Sequence, residues 1–120
     1  MSAPAILTTV ILDCADPTAL AEFYRKALGW NVIHADEDGA QLDNGGPIRL
    51  GLQRVAGYRG PTWPDPAKHA HFDLEVADPA TAADELIALG ASRPDFQPGN
   101  GDWLVLADPE GHLFCIAAAG

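Results

Sequence analysis

Basic residues are scarce in this chain of 120 residues: 7 Lys plus Arg stand against 17 Asp plus Glu, leaving a formal net charge of −10. A phosphate backbone or an anionic bilayer surface would be repelled, so neither nucleic acid nor a membrane is an expected partner. No apolar run approaches the roughly 20 residues that span a bilayer. The opening Met1-Ser2-Ala3-Pro4 has neither the basic nor the apolar region of a signal peptide, and the expectation is a cytoplasmic protein. Cysteine is almost absent, with Cys14 and Cys115 the whole supply. Strand alternation sets Cys14 with Val10 and Leu12 but sets Cys115 against Phe114 and Ile116, so the two thiols are not expected to meet as a disulfide requires. A nucleophile elbow, a phosphate-binding glycine loop and a dinucleotide fingerprint are all missing, since Gly45-Gly46 precedes a strand rather than opening a helix. These absences leave pocket chemistry.

What is present is an ordinary globular balance, 48% hydrophobic and 20% charged, in a length that supports one domain with its own core. The most informative stretch runs from His69 to Pro79. Between His71 and Val76, polar His71, Asp73 and Glu75 alternate with apolar Phe72, Leu74 and Val76, the period-two mark of a strand with one face on a core. Asp78 and Pro79 then start a helix, the first as N-cap and the second at the position where a missing N–H does no harm. A shift of 62 residues carries Asp16-Pro17 onto Asp78-Pro79, Leu12 onto Leu74 and Thr9 onto His71. The helices that follow end in Leu28-Gly29 and Leu89-Gly90. A repeat of this length implies two copies of one supersecondary unit.

Taken in order, the first copy predicts a strand over Ile6 to Cys14, a helix from Pro17 to Leu28, and strands beginning at Trp30, around Ala40 to Leu42, and from Ile48 to Val55. Turns fall at Asp36 to Gly39 and at Asn44-Gly45-Gly46-Pro47. In the helix, Leu20, Phe23, Tyr24, Ala27 and Leu28 form one apolar stripe. Ala56 to Lys68, rich in Gly and Pro, has neither period and reads as a connection. The second copy predicts the strand already described, a helix from Pro79 to Leu89 with Ala82, Ala83, Leu86 and Ile87 inward, and strands near Ser92 to Phe96, Trp103 to Ala107 and His112 to Ala117. Asp108-Pro109-Glu110-Gly111 makes the last turn.

Ala15-Asp16-Pro17, Phe23-Tyr24, Leu28-Gly29-Trp30, His71-Phe72-Asp73-Leu74-Glu75-Val76 and Asp108-Pro109-Glu110-Gly111-His112, in this order and spacing, resemble the vicinal oxygen chelate superfamily of glyoxalases, bleomycin-resistance proteins and extradiol dioxygenases. The resemblance covers nearly the whole chain. It implies an α+β fold of two tandem βαβββ units, about 5–56 and 69–118, in a single glyoxalase-like domain whose curved mixed sheets form a concave pocket. It also implies a small organic molecule as partner and a homodimer as assembly.

Metal enzymes of that family place ligands on the first and last strands of each unit, which here fall at Thr9, Gln53, His71 and Cys115. Thr9 stands where a histidine is usual and Cys115 where a glutamate is usual. The expectation is therefore a binding protein with no metal cofactor. If an ion is held, His71, Gln53 and Cys115 are its expected ligands, in a glyoxalase-like lyase or isomerase. His71 is the candidate catalytic residue, because an imidazole suits proton transfer at neutral pH. Thr9, Asp13, Gln53, Trp63, Asp73, Trp103 and Cys115 are the candidate ligand-binding residues. Trp63 would act as an aromatic lid and Asp13 and Asp73 would attract a cationic group.

Overall fold

A computed structural model of the chain describes residues 3–4, 6–60, 70–99 and 101–118. The chain divides into two compact units, Met1–Tyr58 and Arg59–Gly120. Trp63 and His69 lie outside the described residues, and so does most of the Gly/Pro-rich connection.

The first unit follows the order read from its sequence: β1 (Thr9–Cys14), α1 (Pro17–Leu28), β2 (Asn31–Ala35), β3 (Gly39–Asp43) and β4 (Arg49–Arg54). Its sheet has the order β1-β4-β3-β2, with β1 parallel to β4 and the other pairs antiparallel. A parallel neighbour needs a crossover, and α1 with the β2–β3 hairpin supplies it. Register aligns Val10 with Leu50 and Leu42, and Leu12 with Leu52 and Ala40. These residues share one face, on which α1 packs through the buried Leu20, Phe23 and Tyr24. Each such large side chain contributes about 1.5–3 kcal/mol by leaving water. The opposite face carries Thr9, Ile11, Asp13, Gln41 and Gln53. Strand β1 is shorter than expected: its ladder begins at Thr9, although the Thr8 carbonyl already accepts the Arg49 N–H at 2.9 Å.

Helix α1 is terminated at both ends by its sequence. The Asp16 carboxylate accepts the Ala19 N–H at 3.2 Å. Gly29, at φ 71, takes the left-handed conformation that lets its own N–H reach the Arg25 carbonyl. The second helix starts differently. Asp78 has the extended backbone of an N-cap, but its carboxylate accepts the Thr81 hydroxyl at 2.6 Å and makes no capping bond to a backbone N–H. Asp16→Ala should therefore cost about 1 kcal/mol in urea unfolding. Asp78→Ala should lower the melting temperature less, and equal losses would show that the two starts are equivalent. The Thr81 hydroxyl bond holds the Asp78 carboxyl below its ordinary range. Whatever stability that bond adds is present above the ordinary carboxylate pKa and is lost as pH falls through the lowered one.

The second unit contains β5 (Phe72–Val76), α2 (Pro79–Leu89), β6 (Trp103–Ala107) and β7 (Leu113–Ala118). Its sheet has the order β5-β7-β6, with β5 parallel to β7 and β6 antiparallel to it. The strand expected near Ser92 to Phe96 is reduced to one bridge, in which Ser92 and Ala107 exchange both backbone bonds at 2.9 Å. Pro94 and Pro98 cannot donate to a ladder, which ends the pairing. Gln97 replaces it: its side-chain Nε2 donates to the Val105 carbonyl and its Oε1 accepts the Val105 N–H, both at 2.9 Å. One amide side chain thus does for β6 what a strand residue would have done. In α2, Ala83 and Leu86 are buried as expected, but Ile87 is 41% exposed. The apolar stripe of this helix is narrower than its composition indicates.

Among the described residues no helix is long and apolar enough to cross a membrane. Neither cysteine is in a disulfide; Cys14 belongs to the first unit and Cys115 to the second.

Candidate functional site

The parallel pairing of β5 with β7 sets Asp73 beside Cys115, and Glu75 beside Ala117. The antiparallel pairing of β7 with β6 sets Trp103 beside Ala117, and Val105 beside Cys115. Side chains in register on neighbouring strands point to the same face, so Asp73, Cys115, Ala117 and Trp103 share one. His71, two residues before Asp73, joins them. Together with Leu74 they line a recess of about 370 Å³.

Chemistry gathers at one end of this recess. The His71 Nε2 lies 3.4 Å from Asp73 Oδ1, and the donor atoms of His71, Asp73 and Cys115 all fall within 4.8 Å of one another. Burial differs sharply across the group. Cys115 is 6% exposed. The His71 side chain is 30% exposed and that of Asp73 is 83% exposed. Trp103 and Ala117 form the apolar remainder, with Trp103 packed on the cluster of Val105, Ala107, Leu113 and Cys115.

Two residues outside the recess hold Trp103 in place. Gln97 ties down Val105 as described, and the buried Gly99 brings backbone against the indole. A Cβ on Gly99 would lie 2.7 Å from Trp103 Cδ2, closer than carbon atoms tolerate. Neither residue was foreseen from sequence, although the Pro94 and Pro98 bracket marks the segment as irregular.

Of the candidate residues, the structure brings together His71, Asp73, Trp103 and Cys115. Thr9, Asp13 and Gln53 belong to the first unit, where they share a sheet face and Asp13 is in register with Gln53. Glu75, expected on the same face as Asp73, is exposed and does not line the recess. The acidic turn at Asp108 to Gly111 is a turn, but a wired one. Asp108 is 3% exposed and accepts the N–H groups of Glu110 and His112 at 2.8 and 3.0 Å, while its other oxygen lies 2.7 Å from His112 Nδ1.

The family profile of the Glyoxalase-like domain matches residues 9–117. The chain belongs to the glyoxalase-like domain family. No curated protein matches this glyoxalase-like domain at a significant level. Solved structures do. A glyoxalase-related enzyme from Fulvimarina pelagi aligns at 20% identity over 98% of this chain and 89% of that chain, with a TM-score of 0.68. The bleomycin-binding protein of Streptomyces verticillus, solved with copper(II)-bleomycin, aligns at 21% identity over 99% and 100%, TM-score 0.60. The trypanothione-dependent glyoxalase I of Leishmania major aligns at 17% identity over 95% and 86%, TM-score 0.66. At these identities the likeness is one of fold, that of the glyoxalase and bleomycin-resistance (vicinal oxygen chelate) superfamily.

The four positions at which that superfamily's metal enzymes carry ligands fit a divalent ion poorly in this glyoxalase-like domain. Thr9 offers a neutral hydroxyl, Gln53 a neutral amide oxygen and Cys115 a soft sulfur, so the set mixes hard and soft donors and only one of the four is a strong imidazole.

Proposed function

We propose that this glyoxalase-like domain binds a small organic molecule in the recess of the second unit. The observation that supports the reading most strongly is the convergence of His71, Asp73 and Cys115 at one end of a cavity whose other wall is Trp103 and Ala117. Pockets that orient a ligand combine a mostly apolar lining with a few converging polar groups in this way. The ligand's apolar body lies against the indole, and its polar head meets His71 and Asp73. That head is neutral or cationic, because Asp73 stands at the mouth of the recess and the whole chain is strongly acidic.

The test is calorimetry with small aromatic amines and their neutral amide counterparts. His71→Ala should weaken the best binder by about 1–3 kcal/mol, the cost of removing one partner from a partly buried hydrogen bond. Equal affinity in wild type and variant would contradict the reading.

A second reading, in which the domain is a lyase or isomerase with His71 as general base, draws on the 3.4 Å approach of Asp73 to the ring. A carboxylate in that place orients an imidazole. Exchange of a substrate carbon-bound proton with deuterated solvent, lost in His71→Ala, would support this enzyme. We also infer a homodimer, since β2 is an edge strand exposed along its whole length with Val32 and Ile33 at its centre. Light scattering should give twice the chain mass.

A further inference from the structure

We propose that Cys115 is a nucleophile, with His71 as its base and Asp73 orienting the ring, and that the recess captures neutral α,β-unsaturated carbonyl compounds by covalent addition to the sulfur. This rests on reading the recess as the binding site and names the reaction that occurs there.

Every group involved belongs to the second unit. His71 immediately precedes β5 and Asp73 is the second residue of that strand, so their side chains leave the same face, and parallel pairing with β7 puts Cys115 directly beside Asp73. The three side-chain donor atoms lie within 4.8 Å of one another, with the ring Nε2 3.4 Å from Asp73 Oδ1. A nucleophile next to a base that a third group orients is the arrangement that activates a thiol. Cys14 shows what the cluster adds. That residue has no exposed surface, and its Sγ donates to the Gln53 carbonyl at 3.6 Å, as a thiol that only packs would do. Cys115 instead lines a recess together with a histidine.

The groups present select addition over other thiol reactions. His71 takes the thiol proton, the sulfur bonds to the β-carbon as the C=C electron pair shifts toward the carbonyl, and the imidazolium returns the proton to the α-carbon. No atom leaves, nothing is oxidised or reduced, and the ring ends as it began. A displacement would leave the ring protonated and release an anion beside Asp73. Acyl transfer would need free backbone N–H groups to hold an oxyanion. Cys115 lies on the central strand of its sheet, in register with Asp73 on one side and Val105 on the other, where backbone N–H groups serve the ladders. The rest of the recess suits the same compounds. An aromatic body fits against the indole of Trp103 and beside Ala117, while the Asp73 carboxylate disfavours an electrophile that carries negative charge.

The experiment incubates the protein with benzylideneacetone, an aryl enone, and follows the intact mass with time; benzylacetone, its saturated counterpart, serves as competitor. The chain should gain the mass of one whole enone, and peptide mapping should place it on Cys115 and not on Cys14. The rate should saturate with enone concentration and fall when benzylacetone is added. Cys115→Ser should abolish the adduct while still binding benzylacetone in calorimetry. His71→Gln keeps a hydrogen-bonding side chain but has no base, so the limiting rate should drop about a hundredfold or more, beyond any rise in the half-saturating concentration. Circular dichroism melts confirm that each variant folds. Absence of an adduct, labelling of Cys14 as fast as of Cys115, or an undiminished limiting rate in His71→Gln would overturn the proposal. Benzylacetone binding without any enone adduct would overturn the nucleophile and leave the recess reading standing. An adduct on Cys115 that depends on His71, yet neither saturates nor yields to benzylacetone, would uphold the activated thiol and remove the recess reading.

Discussion

Asp108→Ala should destabilise the protein by about 3–5 kcal/mol, read as the shift of the urea midpoint at constant slope. Asp108 is the buried charged residue of the described core, and its carboxylate serves two backbone N–H groups and faces the His112 ring. Removing it strands these groups in a turn that joins β6 to β7, and each buried group left without a partner costs about 1–3 kcal/mol. Asp108→Asn should recover most of the loss. The asparagine oxygen can accept both backbone N–H groups, and its amide can donate to His112 Nδ1 if the ring adopts the other tautomer. A loss under about 1 kcal/mol in Asp108→Ala would show that water reaches the turn and replaces the carboxylate.

Gln97→Ala should cost about 2–4 kcal/mol and should also impair the recess. The side chain satisfies both the N–H and the carbonyl of Val105, a residue with no exposed surface. With alanine there, both groups lose their partner at once, at about 1–3 kcal/mol each. Val105 lies in register with Cys115, and Trp103 is two residues away on the same strand face. Loosening of β6 is therefore expected to weaken ligand binding as well as stability. Gln97→Glu separates the two bonds, since it keeps the acceptor for the Val105 N–H and loses the donor to its carbonyl. It should fall between wild type and alanine. A stable Gln97→Ala variant with unchanged binding would mean that β6 holds its position without this support.

The helices were legible because their ends are written in short local signals. Asp-Pro opens both, Leu-Gly closes both, and the bounds Pro17–Leu28 and Pro79–Leu89 agree with the sequence reading. Alternation also placed Asp73 and His71 on one strand face. The second expected strand of the second unit was misread because Ser92 to Phe96 has the right position in the repeat, while the deciding features are Pro94, Pro98 and a side-chain bond from Gln97 that no periodicity reveals. Ile87 looked inward on a helical stripe, yet α2 meets its sheet through small Ala83 and Leu86 and leaves Ile87 at the margin. The nearness of Asp73 to Cys115 was illegible for a different reason. It depends on the register of two strands far apart in the chain, and a slip by one residue would send Cys115 to the other face. Asp108 was read only as part of a turn, since nothing in Asp-Pro-Glu-Gly tells a buried acceptor from an exposed one.

The measurement that bears most directly on the recess is chemical-shift mapping of isotope-labelled protein titrated with the small aromatic amines and amides. Shifts should concentrate on the Trp103 indole N–H, the His71 ring, and the backbone of Asp73, Cys115 and Ala117, and should disappear in His71→Ala. Shifts confined to Thr9, Asp13 and Gln53 on the first unit, or identical shifts in wild type and His71→Ala, would contradict a binding site built on the second unit.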